Sequence, residues 1–305
     1  MPDLLIELFS EEIPARMQAR ASEDLRLRMT DGLREAGLSF GVANSFATPR
    51  RLVLSVEGLD AQSPTVTEER KGPRVDAPEK ALEGFLRGAG VAREDLEVRD
   101  EKKGQVYFAK ITRPGRAAEA IVAEVLEATV RNFPWPKSMR WGAGSLRWVR
   151  PLQSIMCILS ENGAARVVPL EVDGILSGDT SEGHRFMAPG RFQVASFDAY
   201  RAELAARKVV LDPQARAETI RTAADALAKE AGLEVVDDPG LLQEVAGLVE
   251  WPVPLMGEIG QDFLGLPPEV LQSSMREHQK FFSLRNPKSG QIERFVTVAN
   301  VETAD

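Results

Sequence analysis

"MPDLLIELFSEEIPARM", residues 1–17, decides the fold class. Its first part, roughly Leu4 to Phe9, reads as a β-strand, and "SEEIP" then prepares a helix. Two acids precede Pro14, and a helix start favours both negative charge and a proline that has no N–H to lose. Leu25, Met29 and Leu33 recur at i, i+4 and i+8, so the helix is expected to reach Ala36, with Gly37 as its stop. A strand running into an amphipathic helix sets the pattern that the remaining sequence continues.

Working outward, "TPRRLVLSVEGL" predicts a turn feeding a strand at Leu52–Val56. "DAPEKALEGFLRGAG" predicts a helix with Asp76 as cap, Pro78 early, Glu79 three residues after the cap, and Gly90 as terminator. "QVYFAKITR" reads as a strand, and "AAEAIVAEVLEATVRNF" as a helix with Ile121, Val122, Val125 and Leu126 on one side. "LQSIMCILS", the turn "ENGA" and "ARVVPLEV" suggest a hairpin. The Gly/Ser/Asp/Pro-rich segment 173–191 is the best place for a loop or a boundary, giving expected lobes at 1–175 and 176–305. Beyond it, Asp212 and Pro213 open a helix closed by Gly232, "DPGLLQEVAGLVEW" repeats the Asp-Pro start, and "LPPEVLQSSMREHQ" begins a final helix. "KFFSLRNPKSGQIERFVTVAN" reads as two strands joined at Asn286–Gly290. The irregular mixture predicts an α+β architecture of mixed or antiparallel sheets with packed helices.

The 305 residues suffice for a large core, and 43% apolar with 28% charged residues is an ordinary globular composition. Net charge −8 argues against a protein that coats nucleic acid with its whole surface, though not against a local cationic patch. No apolar run approaches the ~20 residues of a membrane span. The start lacks the cationic segment of a signal peptide, and the single cysteine, Cys157, cannot form an internal disulfide, so a cytoplasmic location is expected. Phosphate-loop, dinucleotide and G-x-S-x-G patterns are absent; "GAGVAR" at 88–93 lacks the third glycine and follows a helix. Cys157, inside "IMCIL", reads as a buried inert thiol, and Glu11–Glu12 and Asp237–Asp238 read as partners of helix dipoles. With two histidines and one cysteine a His/Cys metal site is not expected. No catalytic residue is assigned.

"FPWPKSMRWGAGSLRWVRP", residues 133–151, holds three of the four tryptophans, the cations Lys137, Arg140, Arg147 and Arg150, and no acid. Cations for phosphates and flat rings for exposed bases make an RNA-binding surface; equally, the tryptophans can be core with the cations around them. Further cationic candidates are Arg50 and Arg51 in "TPRR", Lys71 in "EERKGPR", and His184 and Arg185 in "GHRF". On the last helix, His278 falls on the apolar stripe three residues after Met275, with Arg276 and Lys280 on other faces. His278 is therefore expected to be partly buried; His184, in a glycine-flanked loop, has no such explanation.

Eight strings in order, "LLIELFSEEIPARM", "ATPRRL", "RKGP", "FPWPKSMRWG", "GHRF", "LLQEVAGLVEWPVPLMG", "LPPEVLQSSMREHQKFF" and "VANVETAD", together resemble the bacterial glycyl-tRNA synthetase beta subunit. That family is normally more than twice this length, so the resemblance implies an N-terminal part, ending before the HD-type and anticodon-binding regions. It implies a fold similar to the editing-type domain of the phenylalanyl-tRNA synthetase beta chain. It implies a heterotetramer of two alpha and two beta chains, with glycine activation by ATP and magnesium on the alpha chain. This part would carry tRNA(Gly) contact and subunit assembly, without a cofactor or catalysis of its own. The expected tRNA contacts are Arg50, Arg51, Lys71, Lys137, Arg140, Arg147, Arg150, His184, Arg185, Arg276, His278 and Lys280. The alternatives are a hydrolase that clears mischarged tRNA with His184 or His278 as base, and a scaffold for the alpha dimer.

Overall fold

A computed structural model describes residues 1–102 and 104–302. The chain begins with β1 (Asp3–Ser10), α1 (Ala15–Glu35), β2 (Ala43–Thr48) and β3 (Arg51–Val56). An outlying three-stranded unit follows: β4 (Val66–Arg74), α2 (Glu79–Ala89), β5 (Leu96–Glu101) and β6 (Gly104–Arg113). Asp76 does not cap α2; Pro78 holds the N-cap position with no side-chain bond, and Asp76 pairs with Arg74 instead. The chain returns through α3 (Ala118–Arg131), β7 (Leu152–Glu161), β8 (Ala164–Val167), β9 (Glu171–Val172) and β10 (Ile175–Gly178).

The principal sheet has the order β2-β3-β1-β7-β10-β9, with β8 on β7. β1 lies at its centre, antiparallel to both β3 and β7. Leu4, Ile6 and Leu8 face Leu25, Met29 and Leu33 of α1 and Ile121 and Leu126 of α3. Leu5 faces the other way, into a core completed by β11 (Thr180–Glu182), β12 (Arg191–Gln193) and α4 (Phe197–Ala206). A strand covered on both faces reads as a continuous apolar run, which is why "LLIELF" shows little alternation. The β7–β8 hairpin turns through Asn162 and Gly163, both at positive φ, as the "ENGA" string predicts.

The division expected at 175/176 falls inside β10, and residues 192–211 contribute Phe192, Val194, Tyr200, Leu204 and Leu211 to the first sheet's outer core. The chain reaches its second core at α5 (Pro213–Glu230), whose cap Asp212 accepts from Gln214 N–H at 2.8 Å, as the sequence predicts. β13 (Glu234–Val235), α6 (Pro239–Ala246), β14 (Val253–Glu258), α7 (Pro268–Ser274), β15 (Phe282–Arg285) and β16 (Ile292–Ala299) follow, forming an antiparallel sheet ordered β13-β15-β16-β14. After α7 the helix widens into a π turn at Met275–Gln279, which rotates His278 into solvent rather than onto the apolar stripe. The architecture is α+β. No helix among the described residues is long and apolar enough to cross a membrane.

Candidate nucleic-acid interface

The segment after α3 is anchored by aromatics. Phe133, Trp135 and Trp148 pack with ring centroids 4.8–5.0 Å apart, and Trp148 is fully buried against the first core. These rings are therefore structural; Trp148 offers no face on which a base could stack. Met139 N–H donates to Trp148 O at 2.8 Å and Trp148 N–H returns to Met139 O at 3.2 Å, closing a hairpin-like loop. One step toward its tip on either side stand Arg140 and Arg147, the next antiparallel register position.

The tip is held from below by Asp173, itself at positive φ just before β10. Its carboxylate accepts from Ser145 N–H at 3.0 Å, Leu146 N–H at 3.0 Å and Ser145 Oγ at 2.9 Å. The two backbone bonds, from Leu146 and then Ser145, hold its carboxyl below the usual aspartate range. A Cβ at position 144 would lie 2.2 Å from Asp173 Oδ2, so any residue but Gly144 would displace the carboxylate that holds the loop.

Lys137, Arg140, Arg147 and Arg150 are all exposed, and none forms an ion pair among the described residues. Arg147 Nε–H donates to Ser138 Oγ at 3.2 Å, and Arg150 donates to Val149 O at 2.9 Å; neither bond involves a carboxylate. Arg16 of α1, which the sequence reading missed, borders a small cleft with Phe133–Pro136 and is also exposed and without an ion pair among the described residues. Its helix position beside an aromatic loop 117 residues away carries no local signal.

The other predicted contacts are placed differently. Arg51 is fully buried, so it cannot meet a phosphate; its guanidinium lies 3.1 Å from Glu250 and 3.5 Å from Glu7. Arg50 is 6% exposed and stacks on the Phe9 ring at 4.5 Å; burial and then neighbouring Arg185 lower its pKa. His184 is 1% exposed, and its Nδ1 accepts from Phe186 and Met187 N–H at 3.3 Å, which removes it as a surface base. Lys71 pairs with Glu101, Arg185 with Glu11 at 2.6 Å, Arg276 with Asp238 at 2.9 Å and Lys280 with Glu244 at 3.1 Å. His278 is exposed but stands on the second sheet's side of the molecule, on the π turn.

Arg51 belongs instead to a polar knot that joins the two cores. Tyr200 and Ser181 donate to Glu7, Thr48 donates to Glu250 at 2.6 Å, and Asn300 Oδ1 accepts from Glu250 N–H at 2.8 Å. Burial raises the Glu7 carboxyl although Arg51 opposes it, and burial also raises the Tyr200 phenol. For Arg51 burial acts downward, and Glu250 and Glu7 more than offset it, so it stays charged. Alongside, the buried Arg216 of α5 donates to four carbonyls, Ala47, Val210, Leu211 and Ala246, at 2.7–3.0 Å. Thus "LLIELF", "ATPRRL", "LVEW" and "VANVE" meet in one place, as structure rather than as an RNA surface. Cys157 is buried, and burial pushes its thiol pKa up. The described residues hold no group of three or more metal-capable side chains.

The sequence profile of the family described as glycyl-tRNA synthetase beta subunit matches residues 4–305. The chain is 67% identical over 305 residues to the glycine–tRNA ligase beta subunit of Cereibacter sphaeroides (strain ATCC 17029), covering all of this chain and 44% of that protein. The beta subunit of Paracoccus denitrificans (strain Pd 1222) gives the same identity and coverage, and that of Phenylobacterium zucineum (strain HLK1) is 53% identical over 307 residues, 45% of its length. The chain spans less than half the length of these curated relatives, and over that span it belongs to the glycyl-tRNA synthetase beta subunit family.

Proposed function

We propose that this chain is the part of a glycine–tRNA ligase beta subunit that touches tRNA(Gly) and helps assemble the ligase, which joins glycine to tRNA(Gly) at the expense of ATP. The observation that carries the reading is the set of four exposed cations, unpaired among the described residues, on and beside a hairpin-like loop held near its tip by Asp173 and at its base by Trp148. A folded protein normally disperses or pairs such charge; leaving it free and pre-positioned suits a polyanion whose phosphates supply the counter-charge. On this reading glycine activation, with ATP and magnesium, belongs to an alpha subunit in a two-alpha, two-beta cytoplasmic enzyme. This chain's cations position the RNA and transfer no proton or acyl group.

The test separates RNA contact from scaffolding. In the full-length holoenzyme, Lys137, Arg140, Arg147 and Arg150 are changed together to Ala. Glycine-dependent ATP–pyrophosphate exchange is expected to hold while tRNA charging falls through a raised KM for tRNA. Unchanged charging would assign the hairpin a purely structural role; loss of exchange and charging together would assign it to subunit assembly.

A further inference from the structure

A second surface has the opposite character. Between β14, α7 and β16 lies an apolar groove of about 380 Å³. Leu271 and Met275 make its buried floor, with Ile292 packed in the same cluster, and Phe281 and Phe295 stack at 4.5 Å along one wall. The other lip stands open to water, with Phe263 56% and Val270 52% exposed and Leu264 and Leu266 beside them. Large apolar side chains gathered around a preformed groove mark a surface that is covered by protein. Acids accompany the groove: Glu258 lines it and pairs with Arg294 of the adjacent strand, and Asp262 and Glu269, next in sequence to Phe263 and Val270 of the lip, are exposed and without ion pairs among the described residues.

We infer that this groove is the docking site for an apolar segment with Lys or Arg flanks, belonging to the further length of the beta polypeptide that the full-length relatives carry. Two observations select that occupant: the acids beside the groove, which call for Lys or Arg flanks, and the length of the relatives. The relatives hold more than half of their length outside the matched part, so a large tethered body is available. A tethered segment also binds at high effective concentration. A second copy of the groove fits poorly, because a two-fold contact places Glu258, Asp262 and Glu269 against themselves. The inference stands independently of the RNA reading.

The experiment uses full-length beta subunit carrying Val270→Cys, with Leu176→Cys, at a 70% exposed site on the first sheet, as reference. Maleimide labelling is followed at each position by peptide mass spectrometry, so other cysteines do not interfere. Position 270 is expected to label about tenfold or more slowly than position 176, as protection by a docked segment requires. Asp262→Lys combined with Glu269→Lys is expected to restore fast labelling, and Phe263→Cys to repeat the protection at a second place. Equal rates at 270 and 176 overturn the inference. So does protection that arises only when the alpha subunit is added, or that disappears on dilution as a second copy would require.

Discussion

Two arginine-bearing turns look alike as strings and do opposite things. "TPRR" at 48–51 brings Arg51 into the centre of the molecule, between Glu7 and Glu250. "MRWGAGSLRW" at 139–148 holds Arg140 and Arg147 in solvent with no carboxylate partner among the described residues. What separates them is the surrounding backbone. Arg51 starts a strand buried along its whole length, so its charge needs acids, and these come from 44 and 199 positions away. The hairpin's inward positions are filled by Trp148 and Leu146, leaving its cations the outward ones. A cationic string therefore leaves its charges in solvent only when its apolar neighbours already satisfy the core.

The comparison breaks first at Arg51. Arg51→Met strands two buried carboxylates and is expected to cost about 3–5 kcal/mol in urea unfolding; a cost below about 1 kcal/mol would mean the knot is solvated. Arg216→Met leaves four carbonyls without their donor and is expected to cost about 2–3 kcal/mol, at the scale of unsatisfied buried acceptors. By contrast, Arg140→Ala with Arg147→Ala removes two exposed charges without a carboxylate partner among the described residues and is expected to leave the urea midpoint unchanged; a clear fall would show these side chains to be structural.

A subtler test concerns the support of the hairpin's tip. The Asp173 carboxyl is held below its unfolded value, about 3.9 for an aspartate. A depressed pKa contributes order that is full above the unfolded value and is lost as pH falls through the folded one. Acidification below about pH 4 is therefore expected to release the loop, read as a change in Trp141 and Trp148 emission, and Asp173→Asn should abolish that step. An identical acid transition in Asp173→Asn would assign it elsewhere.

Much of the fold was legible because local rules agreed with the tertiary outcome. Gly37 follows α1 at positive φ, Asp212 caps α5, and Asn162–Gly163 turns the hairpin. Two boundaries failed for identifiable reasons. Asp76 found Arg74 before it could cap α2, and the glycine-rich 173–191 segment serves the first sheet, because β10 pairs with β7. The exposure of the candidate cations was half legible. Those of 133–151 are exposed and unpaired among the described residues, whereas the burial of Arg50, Arg51 and His184 was missed because burial is a property of distant partners. A signal was available: Glu7 sits inside "LLIELF", and Arg216 lies on the same helical stripe as Ile220 and Ala224. A charge in the middle of an apolar pattern predicts a buried, partnered charge.

The most direct measurement of the central claim is the salt dependence of tRNA(Gly) binding by full-length holoenzyme with and without Arg140→Ala and Arg147→Ala. Losing two phosphate contacts should flatten the slope of log affinity against log salt by about one to one and a half units. A slope identical to that of the unaltered enzyme would contradict the account, since the two arginines would then neutralise no phosphate.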